Sequence, residues 1–415
     1  MKIIMSNKVR GVVWVRGVEW VSRSVLLAAA CATPALAVEV YYQPVVSLSA
    51  EEDSNLDLDP GEHRQVQGYT ADVGTIVGID TPDSTTTFRP RVLYRDYPEN
   101  TADDRAEAYL DFNSQLKTQR STATMSGSLQ HLDEFNAQFQ PPTFNDINPA
   151  QPTPGNGRVV NGATQDVALL APKYVYSFTP VVSGGASGTY QYVKFSPTDD
   201  NGHLNFDYYT GRAFLNYSLT ERTQLTFGAL GSHFSTRDVR SESTGQGGLV
   251  DLTTSWTPLL LTVAEVNFQH TSLNSDIPRP IDYSVNKVGG SIDTSYKTEL
   301  DRFRLIARRS ILPSGGGAVY TTDRLQFQYD HTFTPRFAMT GAVSVIKTHG
   351  LTYTLDSDDR KFEQGLVEAH YALTRYFFLQ GGYQYSWQRY QQDTDSANNN
   401  RVYIQIGYKG LGQER

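Results

Sequence analysis

A turn signature recurs along this chain: Phe178-Thr179-Pro180, Leu219-Thr220-Glu221-Arg222, Trp256-Thr257-Pro258, Phe333-Thr334-Pro335-Arg336 and Leu373-Thr374-Arg375. Weaker versions stand at Leu116-Lys117-Thr118-Gln119-Arg120 and Tyr296-Lys297-Thr298-Glu299-Leu300. Each separates two stretches in which apolar and polar residues alternate, the period of a strand with one apolar face. Past the turn the chain reads apolar, any residue, apolar, any residue and then Gly, as in Leu225-Thr226-Phe227-Gly228 and Phe337-Ala338-Met339-Thr340-Gly341. The turns on one side of such a hairpin array are all short, whereas the connections on the other are long, variable and polar. That asymmetry predicts an all-β fold, a transmembrane antiparallel up-and-down β-barrel of the bacterial outer membrane.

Composition is compatible with this reading. The 415 residues contain no linker that would divide them into soluble domains. Mean hydropathy is −0.42, and no run approaches the roughly 20 apolar residues a membrane helix needs, but a barrel strand needs only about 10 residues that are apolar at alternate positions. The 25 Tyr and 19 Phe suit aromatic girdles above polar loops. A soluble β-sandwich or propeller is the competing fold. At the N-terminus Lys2, Lys8, Arg10, Arg16 and Arg23 precede an apolar segment from Val25 to Leu36 that ends in Ala35-Leu36-Ala37. This is a signal-peptide pattern with cleavage after Ala37, giving a signal peptide over 1–37 and a barrel over 38–415; translation from Met5 or further in would shorten the leader. Cys31, the one cysteine, lies in the leader, and Ala28-Ala29-Ala30 before it lacks the Leu of a lipid-attachment site. Removal of the leader leaves no thiol, which excludes disulfides, zinc–thiolate sites and cysteine nucleophiles.

The alternation places strands near 40–49, 65–79, 85–95, 105–116, 122–135, 165–178, 182–195, 208–219, 223–236, 248–256, 259–271, 285–296, 301–309, 322–333, 336–348, 361–373, 376–387 and 401–408. The count is about 18, with 16 as the alternative, and an even number returns both chain ends to the periplasmic side with the short turns. In the fourteenth strand Leu325, Phe327, Tyr329 and Phe333 share one face, and Arg324, Gln326, Gln328 and Asp330 the other. In the seventeenth, Phe377, Leu379, Tyr383, Tyr385 and Trp387 face lipid and Gln380, Gln384 and Ser386 the lumen. The final strand puts Val402, Ile404, Ile406 and Tyr408 outward, resembling the segment read by outer-membrane assembly machinery. It departs from that pattern in continuing through Lys409-Gly410-Leu411-Gly412-Gln413-Glu414-Arg415.

No catalytic constellation is present: there is no Gly-x-Ser-x-Gly elbow, phosphate loop or His-Glu-x-x-His helix, and no cofactor or metal site is indicated. Asp330-His331 invites a protease reading, but its place near the periplasmic end favours a wall residue beside a girdle histidine. More informative are arginines alternating with apolar residues: Arg89, Arg91 and Arg95 in the third strand, and Arg302, Arg304 and Arg308 in the thirteenth. Facing lipid, each would cost roughly 2–4 kcal/mol near the midplane, so they are assigned to a water-filled lumen. Asp111, Glu265, Asp293 and Glu368 fall on inward positions too. The rows either guide an anionic solute or pair with wall carboxylates and hold the barrel's shape.

Among the outer segments, the longest, 136–164, is rich in Pro and Gly and is the candidate for a loop that folds inward to narrow the channel. The stretch from Asp53 to Glu62 spaces oxygen ligands as calcium loops do but lacks the required Gly, which favours solvated charge or diffuse divalent binding beside lipopolysaccharide.

With these turns, and with segments such as Gly127-Ser128-Leu129-Gln130 followed by Asp133-Glu134-Phe135-Asn136, the chain resembles the outer-membrane β-barrel porin family associated with exopolysaccharide biosynthesis and secretion. The resemblance implies a conduit for a growing polysaccharide, docked to a periplasmic polysaccharide-export protein, with no catalytic residues and no nucleic-acid partner. The alternatives are a general or anion-preferring diffusion porin for small solutes, and a structural or adhesive surface barrel. Outer-membrane lipid, lipopolysaccharide and the assembly machinery are expected partners in every case.

Overall fold

The computed structural model describes residues 38–415 except 62–64, 100–103, 134–163, 197–202, 238–239, 277–279, 314–318, 351–358, 392–394, 411–412 and 415. The leader and the 136–163 part of the long Pro-rich segment therefore lie outside the described residues. Eighteen long strands form one sheet: β1 (Glu39–Asp53), β2 (Val66–Asp80), β3 (Ser84–Asp96), β4 (Arg105–Lys117), β5 (Ser121–Asp133), β6 (Thr164–Ser177), β7 (Val182–Ser196), β8 (Phe206–Ser218) and β9 (Thr223–Thr236), followed by β10 (Ser241–Thr257), β11 (Leu260–Ser275), β12 (Ile281–Lys297), β13 (Asp301–Pro313), β14 (Val319–Thr334), β15 (Phe337–Gly350), β16 (Arg360–Ala372), β17 (Phe377–Tyr390) and β18 (Ala397–Lys409). Every strand pairs antiparallel with its sequence neighbours, and β1 pairs with β18 from Val45↔Lys409 to Asp53↔Arg401, which closes the barrel and leaves no free edge. A two-residue β19 (Gln413–Glu414) continues the seam against Tyr41 and Tyr42, so the C-terminal tail extends the last ladder beyond Tyr408.

The recurrent Thr now has a physical role. In every inner turn its Oγ1 accepts a hydrogen bond from the backbone N–H three residues on. Thr179 takes Val182 N at 2.9 Å, Thr334 takes Phe337 N at 3.0 Å and Thr374 takes Phe377 N at 3.0 Å. Thr118, Thr257 and Thr298 do the same, and in the Thr220 turn the bond comes from Arg222 N. Thr81, which the turn pattern in the sequence did not single out, caps the β2–β3 turn through Ser84 N. A side-chain oxygen thus stands in for a missing backbone acceptor in a tight reversal.

The apolar faces point outward. Leu48, Phe268, Val343, Val402 and Ile404 are among the large hydrophobic side chains more than half exposed, whereas Ser47, Thr70, Gln328, Gln364 and Ser386 are buried on the other face. A soluble sheet would bury the first set. An exposed apolar band around a closed ladder is the arrangement that satisfies every backbone group in a bilayer, so the chain is a β-barrel of the bacterial outer membrane.

Strand bounds differ from the sequence expectation mainly at the outer ends. β10 begins at Ser241 rather than 248, β12 at Ile281 rather than 285, and β11 runs to Ser275 rather than 271. There the outward face has left the apolar band, so residues such as Ser241-Glu242-Ser243-Thr244-Gly245 keep the ladder but lose the alternation of polarity that would reveal it.

The outer end is packed rather than open. A hydrophobic cluster gathers Leu132, Val167, Val193, Phe195, Phe206, Phe234, Leu273 and Val319 from the outer ends of β5–β9, β11 and β14. A second joins Leu58, from the β1–β2 connection, to Phe362 and Ala397 on inward positions of β16 and β18.

Candidate functional site: the lumen and its outer mouth

Register and exposure place all ten lumen candidates on the inward face. Arg89, Arg91 and Arg95 alternate with outward Val92 and Tyr94 on β3, and Asp111 of β4 stands directly opposite Arg89. Most of these side chains are held by the wall. Arg91 makes a two-pronged bond to Asp72, at 2.9 and 2.8 Å, and Arg95 bonds Glu107 at 2.9 Å. Arg304 grips Asp293 through both oxygens, Arg302 lies 4.0 Å from Asp330, and Glu265 receives Arg212 at 2.8 Å. Glu368 accepts a hydrogen bond from the Tyr403 hydroxyl. The shape-holding role therefore describes these groups well, because a fork-shaped guanidinium matched to a carboxylate fixes two strands relative to each other.

Arg308 is different. Its register partner is Arg324 of β14, which also faces the lumen. Among the described residues neither has a carboxylate within salt-bridge range, and the Arg324 Nε is buried with no hydrogen-bond partner. Two like charges directly opposite, with Cβ atoms about 5 Å apart, repel each other, and a buried donor without a partner costs free energy. Arg308 also borders a cavity of about 530 Å³ whose wall includes Lys173, Tyr208, Arg212, Asn267 and Gln269. Lys173 sits with its ammonium 5.6 Å from the Phe214 ring centroid rather than in an ion pair. Arg324 and Lys173 escaped notice as site residues because each is isolated in sequence, whereas the search favoured rows of three arginines on one strand.

At the outer mouth a polar network crosses the seam. Glu51 binds Arg401 of β18 and accepts from the Tyr97 hydroxyl at 3.1 Å; Arg105 binds Asp133 and lies 3.6 Å from Asp57. Glu107, already held by Arg95, also accepts from Tyr109 at 2.7 Å. Burial, and then the neighbouring Glu51 charge, push the Tyr97 phenol well above its usual range, so it stays a donor.

The β1–β2 connection folds into this mouth, which corrects the expectation of a solvated acidic loop. Asn55 is the hub: its side-chain nitrogen donates to the Asp59 and Asn398 carbonyls at 2.9 and 3.1 Å, and its oxygen accepts from Asp59 N at 3.1 Å. These bonds fold the connection tightly enough to hold Leu58 at φ 47°, where a non-Gly residue is strained, and to bury it to 1% exposure. Gln388 Nε2 then donates to the Leu58 carbonyl at 2.8 Å. Asp53 and Asp59 are thus occupied as acceptors of backbone N–H groups, and no group of three or more His, Cys, Asp or Glu among the described residues could hold a metal ion.

Asp330 and His331 lie on opposite faces. Asp330 is inward and accepts from Thr340, while His331 is outward, 2.7 Å from Asp301 and edge-on to Phe333. They cannot act on one substrate.

No family model matches the chain, and no curated protein matches it. Solved structures resemble it across most of its length. OccK2 (OpdF) of Pseudomonas aeruginosa is 12% identical over 89% of this chain and 98% of that one, with a TM-score of 0.44. A BenF-like porin of Pseudomonas fluorescens Pf-5 is 11% identical over 89% and 98%, TM-score 0.44, and OccAB3 of Acinetobacter baumannii is 11% identical over 89% and 99%, TM-score 0.43. OccK2 has also been solved in complex with glucuronate. At identities and TM-scores this low, the likeness says nothing about this chain's cargo.

Proposed function

We propose that the chain is an outer-membrane channel for small solutes with a preference for anions. The observation that carries this reading is the unneutralised Arg308–Arg324 pair facing the lumen beside a polar cavity. A carboxylate or phosphate of the solute would supply the acceptors that the wall withholds from these two guanidiniums, and would leave again because no third group encloses it. Lys173, facing the same cavity, extends the positive field along the wall.

The polysaccharide-conduit reading fits the geometry less well. A sliding polymer needs a continuous bore, and the buried Leu58 and the hydrophobic cluster at the outer end occupy the space through which it would leave.

Planar-bilayer recording in a salt gradient tests the proposal. The wild type is expected to give a reversal potential on the anion side, and Arg308→Glu with Arg324→Glu to move it toward cations. An unchanged potential in the double variant would remove the pair from the conduction path. Secretion of polymer lost on gene deletion, with solute uptake intact, would favour the conduit instead.

A further inference from the structure

One row of the outward face breaks the rule that lipid-side positions are apolar. Arg309, Asp323, Lys347, Lys361 and Arg389 are cross-strand partners in sequence from β13 to β17, each directly opposite the next. All are on the outward parity, shared with Leu305, Leu325, Val343, Val367 and Tyr385, and the four cations are exposed. Lys347, Lys361 and Arg389 therefore form three like charges side by side, an arrangement that repels in a sheet. The carboxylates nearby do not neutralise them. Asp323 is gripped through both oxygens by Arg309 at 2.6 Å, and Glu363 takes Lys361 at 2.6 Å. Lys347 and Arg389 have no ion pair among the described residues.

The height of the row is as informative as its charge. From Asp323 to Phe333 of the inner girdle, β14 advances ten residues, which at about 3.3 Å each and a tilt of about 40° spans roughly 25 Å, the height of the apolar band of a barrel. The row thus caps the band at its outer edge. Immediately below it stand Trp387 and Tyr385, side chains that favour the interface, with the Lys361 ammonium 5.3 Å from the Trp387 ring centroid. The rest of the outer rim carries the opposite balance. On β1–β12 the outward outer positions include Glu52, Asp96, Asp166, Glu242 and Asp282, against Lys194 and an Arg237 already paired with Asp207.

We infer that the β13–β17 rim is a binding site for the phosphate groups of an outer-leaflet glycolipid, lipopolysaccharide. Phosphates at the top of the apolar band relieve the repulsion among Lys347, Lys361 and Arg389 while the acyl chains lie along Leu325, Val345 and Val343. The acidic β1–β12 rim offers no such match, so the lipid is bound on one side of the barrel.

Native mass spectrometry of the detergent-solubilised full chain, with Kdo2-lipid A as the probe, tests this. Wild type is expected to retain the lipid, and Lys347→Gln with Lys361→Gln and Arg389→Gln to weaken retention on the order of 100-fold, the loss expected when three cations leave an anionic interface. Lys194→Gln with Arg237→Gln should leave it unchanged, and gel mobility with and without heating confirms that each variant is a folded barrel. Equal retention of dephosphorylated lipid A, equal retention of phosphatidylglycerol, an unaffected triple variant, or equal loss in the control variant would each overturn the assignment.

Discussion

The two ends of this barrel are held by different physics. At the inner end each turn closes on itself: a Thr hydroxyl and a backbone N–H three residues on, as in Thr334 and Phe337 at 3.0 Å, complete the reversal without help from elsewhere. At the outer end the bonds join parts of the chain that are remote in sequence. Glu51 meets Arg401 across 350 residues, and Gln388 holds Leu58 across 330. Local closure makes the inner rim a set of nearly independent units. Long-range closure makes the outer mouth one cooperative object whose parts fail together.

Breaking the outer network should therefore have the largest effect. Glu51→Ala leaves the Arg401 guanidinium and the Tyr97 hydroxyl without their shared acceptor, and removing one partner of a buried ion pair costs about 3–5 kcal/mol. The expected outcome is a clear fall in the urea midpoint of the folded barrel in detergent. Leu58→Ala comes next: losing a buried leucine costs about 2–5 kcal/mol, here charged to the docking of one connection rather than to the whole barrel. Its signature is a rise in single-channel conductance with little change in the urea midpoint. The smallest effect belongs to the inner rim, where Thr334→Ala removes one hydrogen bond and should cost about 1 kcal/mol, with conductance unchanged. If Thr334→Ala proved as damaging as Glu51→Ala, the contrast between independent and cooperative ends would fail.

The same contrast governs what could be read from the sequence. Strand bounds at the inner end were readable to within one residue, as at 182, 223 and 301, because Thr turns and the start of the apolar band coincide there. At the outer end the band stops before the strands do, and the readable signal stops with it. The inward orientation of the arginine rows followed from the cost of placing them in lipid. Their pairing did not, because Arg91 finds Asp72 and Arg304 finds Asp293 on neighbouring strands whose register the sequence does not print. The inward fold of the first connection was also invisible. Its acidic residues suggested solvation, yet Asn55 turns the same oxygens and nitrogens toward the backbone.

The seam between β1 and β18 has a consequence for how the molecule comes into being. Every other long ladder belongs to a hairpin whose two arms are made one after the other, but this one joins residues as far apart as Gln43 and Gly410, separated by 367 positions. Its loop-closure cost is the highest in the chain, so it is expected to zip last, after synthesis has ended. Until then both strands are unsatisfied edges, and their ladder of side-chain bonds, Ser47 to Gln405 and Ser54 to Asn399, acts as a latch that records completion.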